Sequence, residues 1–129
     1  MSNGEISTEL EDFIHAQINS IEQLEVLQLL YENRSRSWQT IEVAGRLYIQ
    51  HESAISRLED LESRGFCVRL TQPDLRYQYN PATADRDRLV RELIEAYRVR
   101  RVSIITLVFS KPADPIDSFS DAFRFRRNR

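Results

Sequence analysis

Residues 40–79, TIEVAGRLYIQHESAISRLEDLESRGFCVRLTQPDLRYQY, carry two helical repeats and then switch to period two. In TIEVAGRLYI, Ile41, Ala44 and Leu47 recur at the spacing of one apolar helical stripe, and Thr40 stands where a capping hydroxyl is wanted. Gly45 weakens this helix and offers room for a close helix contact. Only a few residues around Ile49 and Gln50 are left for a turn. Residues 50–65, QHESAISRLEDLESRG, then put Ala54, Ile55, Leu58 and Leu61 on one buried side and polar groups on the other. Gly65 sits where a left-handed residue ends a helix. Beyond it Phe66, Val68 and Leu70 alternate with Cys67, Arg69 and Thr71, the pattern of a half-buried strand whose inner face is the apolar set. Gln72-Pro73-Asp74-Leu75 suits a turn, and Arg76–Tyr79 returns as a second strand with Tyr77 and Tyr79 on one face. Helix, tight turn, helix and ribbon in this order make a winged helix-turn-helix, a mainly α fold with a small β-hairpin wing.

The run SAISRLEDLESRGF, with a short basic hairpin behind it, resembles the recognition helix and wing of MarR-like and ArsR-like bacterial regulators over residues 20–80. The ending FSKPADPIDSFSDAFRFRR is similar to that of a group of small bacterial winged-helix proteins. The resemblance implies a regulator of transcription that works as a homodimer on double-stranded DNA. It also implies a small-molecule effector as a further partner, because related dimers open pockets between the winged domain and the dimer helices. The same scaffold serves elsewhere as a protein-binding module, and that is the alternative.

Around the central motif the chain divides into an N-terminal helix (1–19), the winged domain (20–80), a long helix (81–110) and a tail (111–129). Ser7 and Ser20 are placed to cap helices over Thr8–Ile18 and Ile21–Tyr31, and Ser20 with Gln23 has the spacing of a capping box. Ile21, Leu24, Leu27 and Tyr31 make the second of these the first helix of the winged domain. Leu10, Phe13, Ile14 and Ile18 give the earlier helix an apolar face that calls for a partner. After the Asn80-Pro81 break, Thr83 opens a helix expected to run unbroken to Phe109. Its second half, VSIITLVF, is rich in β-branched residues, so a strand over 102–109 is the alternative. So wide an apolar surface predicts a homodimer joined through Leu10, Phe13, Leu93, Tyr97, Ile104, Ile105 and Val108. In the tail, Ser118–Phe125 reads as a short helix presenting phenylalanines, closed by four arginines; a flap on the dimer core, a basic arm and a disordered end compete.

A length of 129 residues with 41% hydrophobic content suits one modest core with appended helices. No apolar run approaches the ~20 residues of a membrane span, and the acidic N-terminus lacks a signal-peptide layout, so a cytoplasmic protein is expected. The single cysteine, Cys67, forms no internal disulfide and reads as a passive wing residue. Neither a glycine-rich phosphate loop nor a nucleophile motif is present, and His15 and His51 fall on separate elements. No enzymatic activity, cofactor or metal is expected; His15 with Glu11 is a pair that ordinary helix charges explain.

Net charge is −2, but residues 1–33 hold seven carboxylates and no Lys or Arg. The remainder therefore carries all 18 basic residues against 13 acidic ones, an excess of five. If residues 50–65 enter the major groove, His51, Ser53, Ser56 and Arg57 face the bases. Arg57 is the candidate for a paired contact to guanine, and Gln50 or His51 for bases or phosphates. Thr40 with the first-turn amides of its helix would hold a phosphate, while Arg69 and Arg76 would follow the backbone or the minor groove from the wing, 66–79. Against this stand Glu52, Glu59, Asp60 and Glu62 on the same helix, repulsive toward phosphate.

Overall fold

The computed structural model describes residues 6–110. In order they form α1 (Thr8–Gln17), α2 (Ile21–Glu32), α3 (Thr40–Leu47), α4 (His51–Ser63), β1 (Cys67–Leu70), β2 (Arg76–Tyr79), α5 (Ala84–Val99) and α6 (Arg101–Phe109). The arrangement is mainly helical with an antiparallel wing, as the sequence pattern predicts. The tail from residue 111, with its expected Ser118–Phe125 helix, lies outside the described residues.

Three serine or threonine caps form where the sequence puts them. The hydroxyls of Ser7, Ser20 and Thr83 accept from the amides of Leu10, Gln23 and Arg86. The return half of the Ser20–Gln23 box is displaced by one residue, since Gln23 Oε1 accepts from the amide of Asn19 at 2.7 Å. Thr40 is not a cap: Gln39 takes that position, and Glu42 reaches back to accept from the Gln39 amide at 2.8 Å. Gly65, with φ +82°, closes α4 as expected, and a Cβ there would meet Ala82 Cβ at 3.2 Å.

The centre of the domain is α2. Leu24, Val26, Leu27, Leu29 and Leu30 are all buried, so this helix is surrounded rather than resting on one stripe. Ala54, Leu58 and Leu61 of α4 and Val43 and Ala44 of α3 enclose it together with Trp38 and Tyr77. Trp38 also exchanges two backbone hydrogen bonds of 2.8 Å with Tyr77, an isolated bridge on the edge of β2 away from β1. Behind β2, Tyr79 donates to Asp87 at 2.6 Å, and Arg34 pairs with the same carboxylate while lying over the rings of Tyr31 and Tyr79.

Two further expectations need correction. The inner face of β1 is not Phe66-Val68-Leu70 throughout: Cys67 is buried, and Val68 and Leu70 are only half-buried. The register Cys67↔Tyr79 explains it, because the two buried tyrosines draw Cys67 onto their side. The helix expected to run from Thr83 to Phe109 is two helices, broken at Arg100, whose φ −129° and ψ 56° are not helical. Residues 102–109 are helical, and the break lets α6 fold back on α1 and α5.

The break changes the fate of the expected dimer residues. Leu10, Phe13, Leu93, Tyr97, Ile104 and Val108 are buried within the chain itself, and Ile105 is half-buried. The apolar face of α1 finds its cover in α5, α6 and Phe66, whose ring meets Phe13 edge-on at 5.9 Å. What stays exposed is another stripe: Val99, Val102 (76%) and Phe109 (75%).

Candidate nucleic-acid interface

Every side chain named for DNA contact lies on α3, α4, their junction or the wing. Gln50, His51 and Ser56 are exposed, and Thr40, Ser53 and Arg57 partly so: Ser56 lies opposite the buried Ala54, Leu58 and Leu61, and Gln50 and His51 stand at the start of α4. The structure brings Thr40 and His51 into contact: the threonine hydroxyl and the imidazole Nε2 are 2.7 Å apart across the turn. The left-handed Tyr48 (φ 56°) makes the turn tight. Arg69 and Arg76 are not brought together. The register places Arg69 opposite Tyr77 and Leu70 opposite Arg76, so alternation sends the two guanidiniums to opposite faces of the ribbon.

All three named arginines already have partners. Arg57 Nε lies 2.8 Å from Glu22 on α2, Arg69 lies 3.9 Å from Glu62, and Arg76 Nε lies 2.8 Å from Asp74. Arg76 also stands 3.7 Å from Glu42, which accepts from Arg36 at 3.1 Å. Gln39 Nε2 donates to the second oxygen of Asp74 at 2.8 Å, tying the tip of the short wing to the start of α3. The hydrogen bonds from Arg76 and Gln39 hold the Asp74 carboxyl below its ordinary range, and the Gln39 amide with Arg36 does the same for Glu42.

Arg46 was not among the sequence candidates. It is exposed, has no carboxylate within 4.0 Å among the described residues, and lies 5.2 Å over the Trp38 ring that Arg36 approaches at 3.6 Å. Also missed were the counter-charges Glu22 and Asp74. Counting by segment exposes part of this: residues 20–80 hold seven arginines and nine carboxylates, a net of −2. The basic excess sits instead in 81–129, with 11 basic residues against seven acidic.

Beside the turn runs an open groove of about 650 Å³ bounded by Glu22, Ile41, Gly45, Tyr48, Ile49 and His51. Gly45 has nothing within 4 Å of a would-be Cβ, so it opens this groove rather than admitting a close helix contact. Tyr48 is 95% exposed.

Two solved structures share the arrangement of helices and wing. A MarR family protein from Bacillus stearothermophilus superposes with a TM-score of 0.51 over 93% of this chain and 81% of its own, at 15% identity. The fold is a MarR-like winged helix. The transcriptional regulator BldR from Sulfolobus solfataricus agrees, with a TM-score of 0.50 over 94% of this chain and 84% of its own at 13% identity. No protein-family model matches the sequence, and a comparison with curated proteins finds no match either. The MarR-like likeness extends through the flanking helices, since more than nine-tenths of the chain is covered. No helix among the described residues is long and apolar enough to cross a membrane.

Proposed function

We propose that this chain is a sequence-specific DNA-binding regulator of transcription, with α4 in the major groove and the wing beside the backbone. The observation that carries this reading is the two-sidedness of α4. Its apolar side is locked into the core, while Gln50, His51 and Ser56 are open to solvent and Ser53 and Arg57 are partly accessible. Short polar side chains and one arginine on a helix so seated can reach base edges. The likeness to two solved structures, a MarR family protein and a transcriptional regulator, supports the same reading. Arg57 then reads guanine; Gln50, His51, Ser53 and Ser56 contact bases or phosphates, and Thr40 with the first amides of α3 holds a phosphate. Arg69 and Arg76 follow the backbone on either side of the ribbon, and Arg46 joins the phosphate contacts.

The active unit in this reading is a homodimer. The exposed stripe of Val99, Val102 and Phe109, with Ile105 beside it, is the surface that α5 and α6 leave for a partner. A two-fold dimer sets the recognition helices ~34 Å apart and selects an inverted repeat. Sedimentation at micromolar concentration is expected to give twice the 15.2 kDa chain mass. The pair Val102→Glu and Phe109→Glu is expected to give the single mass, and a wild-type monomer overturns the dimer.

For DNA, fluorescence anisotropy across a salt series compares the protein's own upstream region with random duplex. Upstream binding that survives ~0.15 M salt and is lost in Arg57→Glu with Arg76→Glu, at unchanged mass, is the expected outcome. Equal, weak binding to both duplexes, erased by salt, refutes sequence-specific recognition.

One observation favours a second reading, a winged helix that docks on another protein. The domain carries a net −2 charge and presents an open groove with Ile41 and Tyr48 exposed at its edge. Absence of any DNA binding, together with loss of a partner on Tyr48→Ala, would select it.

A further inference from the structure

We propose that the winged domain keeps its DNA-facing arginines neutralised by its own carboxylates, so that binding a duplex is an exchange of partners in which Glu22 and Asp74 act as brakes. This rests on the DNA-binding reading and adds to it the residues that set affinity from the protein side. Within residues 20–80 six of the seven arginines have a carboxylate within 4.0 Å: Arg34, Arg36, Arg57, Arg64, Arg69 and Arg76. A surface assembled to attract phosphate would leave such cations free, because attraction to the duplex depends on the charge its groups still have to offer.

The geometry singles out two of the carboxylates. Glu22, in the first turn of α2, crosses to the middle of α4 and holds Arg57 at 2.8 Å, both side chains remaining about one-third exposed. Asp74 closes the wing tip, holding Arg76 with one oxygen and Gln39 with the other, each at 2.8 Å. Neither pair is sealed from water, so each can open at small cost and the arrangement lowers affinity without preventing binding. A phosphate arriving at Arg57 or Arg76 takes the place of a carboxylate. The displaced carboxylate stays close to the duplex and repels it, an effect that salt screens. Glu42 has the same charge, but it also caps α3 through the Gln39 amide, so its removal would disturb the helix as well.

The test uses the full chain and a mixed-sequence duplex of ~30 base pairs, so that phosphate attraction is read without knowledge of an operator. Glu22→Gln and Asp74→Asn are compared with the wild type and with Glu95→Gln, which removes an equal charge from α5, where Glu95 pairs only with Arg98 among the described residues. Circular dichroism confirms the fold of each. At ~0.05 M salt the first two variants are expected to bind about two- to fivefold more tightly, the double variant more tightly still, with the gain shrinking toward ~0.3 M, and Glu95→Gln is expected to match the wild type. Wild-type binding with no gain in Glu22→Gln or Asp74→Asn overturns the braking role and leaves the DNA reading standing. An equal gain in Glu95→Gln also overturns it, because net charge alone would then explain the change. If no form binds DNA even at low salt, the DNA reading falls and this inference falls with it.

Discussion

Replacing Gln23 with leucine tests the account of how α4 is held, because Gln23 is the one fully buried polar side chain among the described residues. Its Oε1 accepts from the Asn19 amide at 2.7 Å, and its Nε2 donates to the Gln17 carbonyl at 3.2 Å and to Asp60 Oδ2 at 2.7 Å. One side chain thus joins the α1–α2 corner to the helix proposed to read DNA. Leucine is close in size and fills the space, so the loss is of bonds rather than volume. Two neutral hydrogen bonds contribute about 1 kcal/mol each, and the bond to the carboxylate about 1.5 kcal/mol, the low end of the range because Asp60 is half-exposed and keeps Arg64 at 3.0 Å. The better burial of leucine returns about 1 kcal/mol, leaving a net destabilisation of about 2–3 kcal/mol. In urea unfolding followed by circular dichroism, this lowers the midpoint by roughly 1–2 M at unchanged slope. Gln28→Leu, which loses only a surface bond to Glu32, is expected to stay within about 0.5 kcal/mol of the wild type. A Gln23→Leu protein as stable as the Gln28→Leu protein would refute the reasoning, because the buried amide would then contribute no more than a surface one.

Burial pushes the Cys67 thiol up to about 12, and Glu62 adds to the effect. The folded protein is therefore expected to resist a thiol reagent at pH 8 and to react within minutes once unfolded; rapid native labelling would contradict the packing of β1 against α4. The hydrogen bond from Tyr79, followed by the hydrogen bond and charge of Arg34, holds the Asp87 carboxyl below its usual range, as other partners do for Asp74 and Glu42. Folding lowers these pKa values, so their contribution is complete above the ordinary 3.8 to 4.5 and disappears as pH falls through the lower folded ones. Stability from urea titrations should accordingly fall below about pH 4.5, and Asp87→Asn should flatten the fall; an unchanged pH profile in that variant would remove Asp87 from the account.

The legible part of the candidate site was the identity of α4 and of its outward side chains. Ala54, Leu58 and Leu61 recur at helical spacing, which fixes Ser56 on the opposite side without knowledge of what the helix packs against, while Gln50 and His51 are exposed at the start of the helix. The partner of Arg57 was not legible. Glu22 and Arg57 are 35 residues apart in the chain, and no local pattern links two charges that meet only when α2 and α4 pack. Segment charge was within reach, since counting residues 20–80 alone gives −2 and moves the basic excess to 81–129.

By itself the sequence determined the order of helices and wing, three hydroxyl caps and the left-handed glycine at the end of α4. These depend on neighbours within four residues, where hydrogen-bond and side-chain periodicity are local properties. The tertiary structure alone decided the break at Arg100, the face of β1 that carries Cys67, and which apolar residues remain for a partner. VSIITLVF is apolar on nearly every side, so its periodicity cannot say which side is covered. That is settled only when α6 turns back and buries Ile104 and Val108 against α1 and α5, leaving Val102 and Phe109 in solvent. Burial is a property of pairs of surfaces, and one strand of sequence contains only one member of each pair.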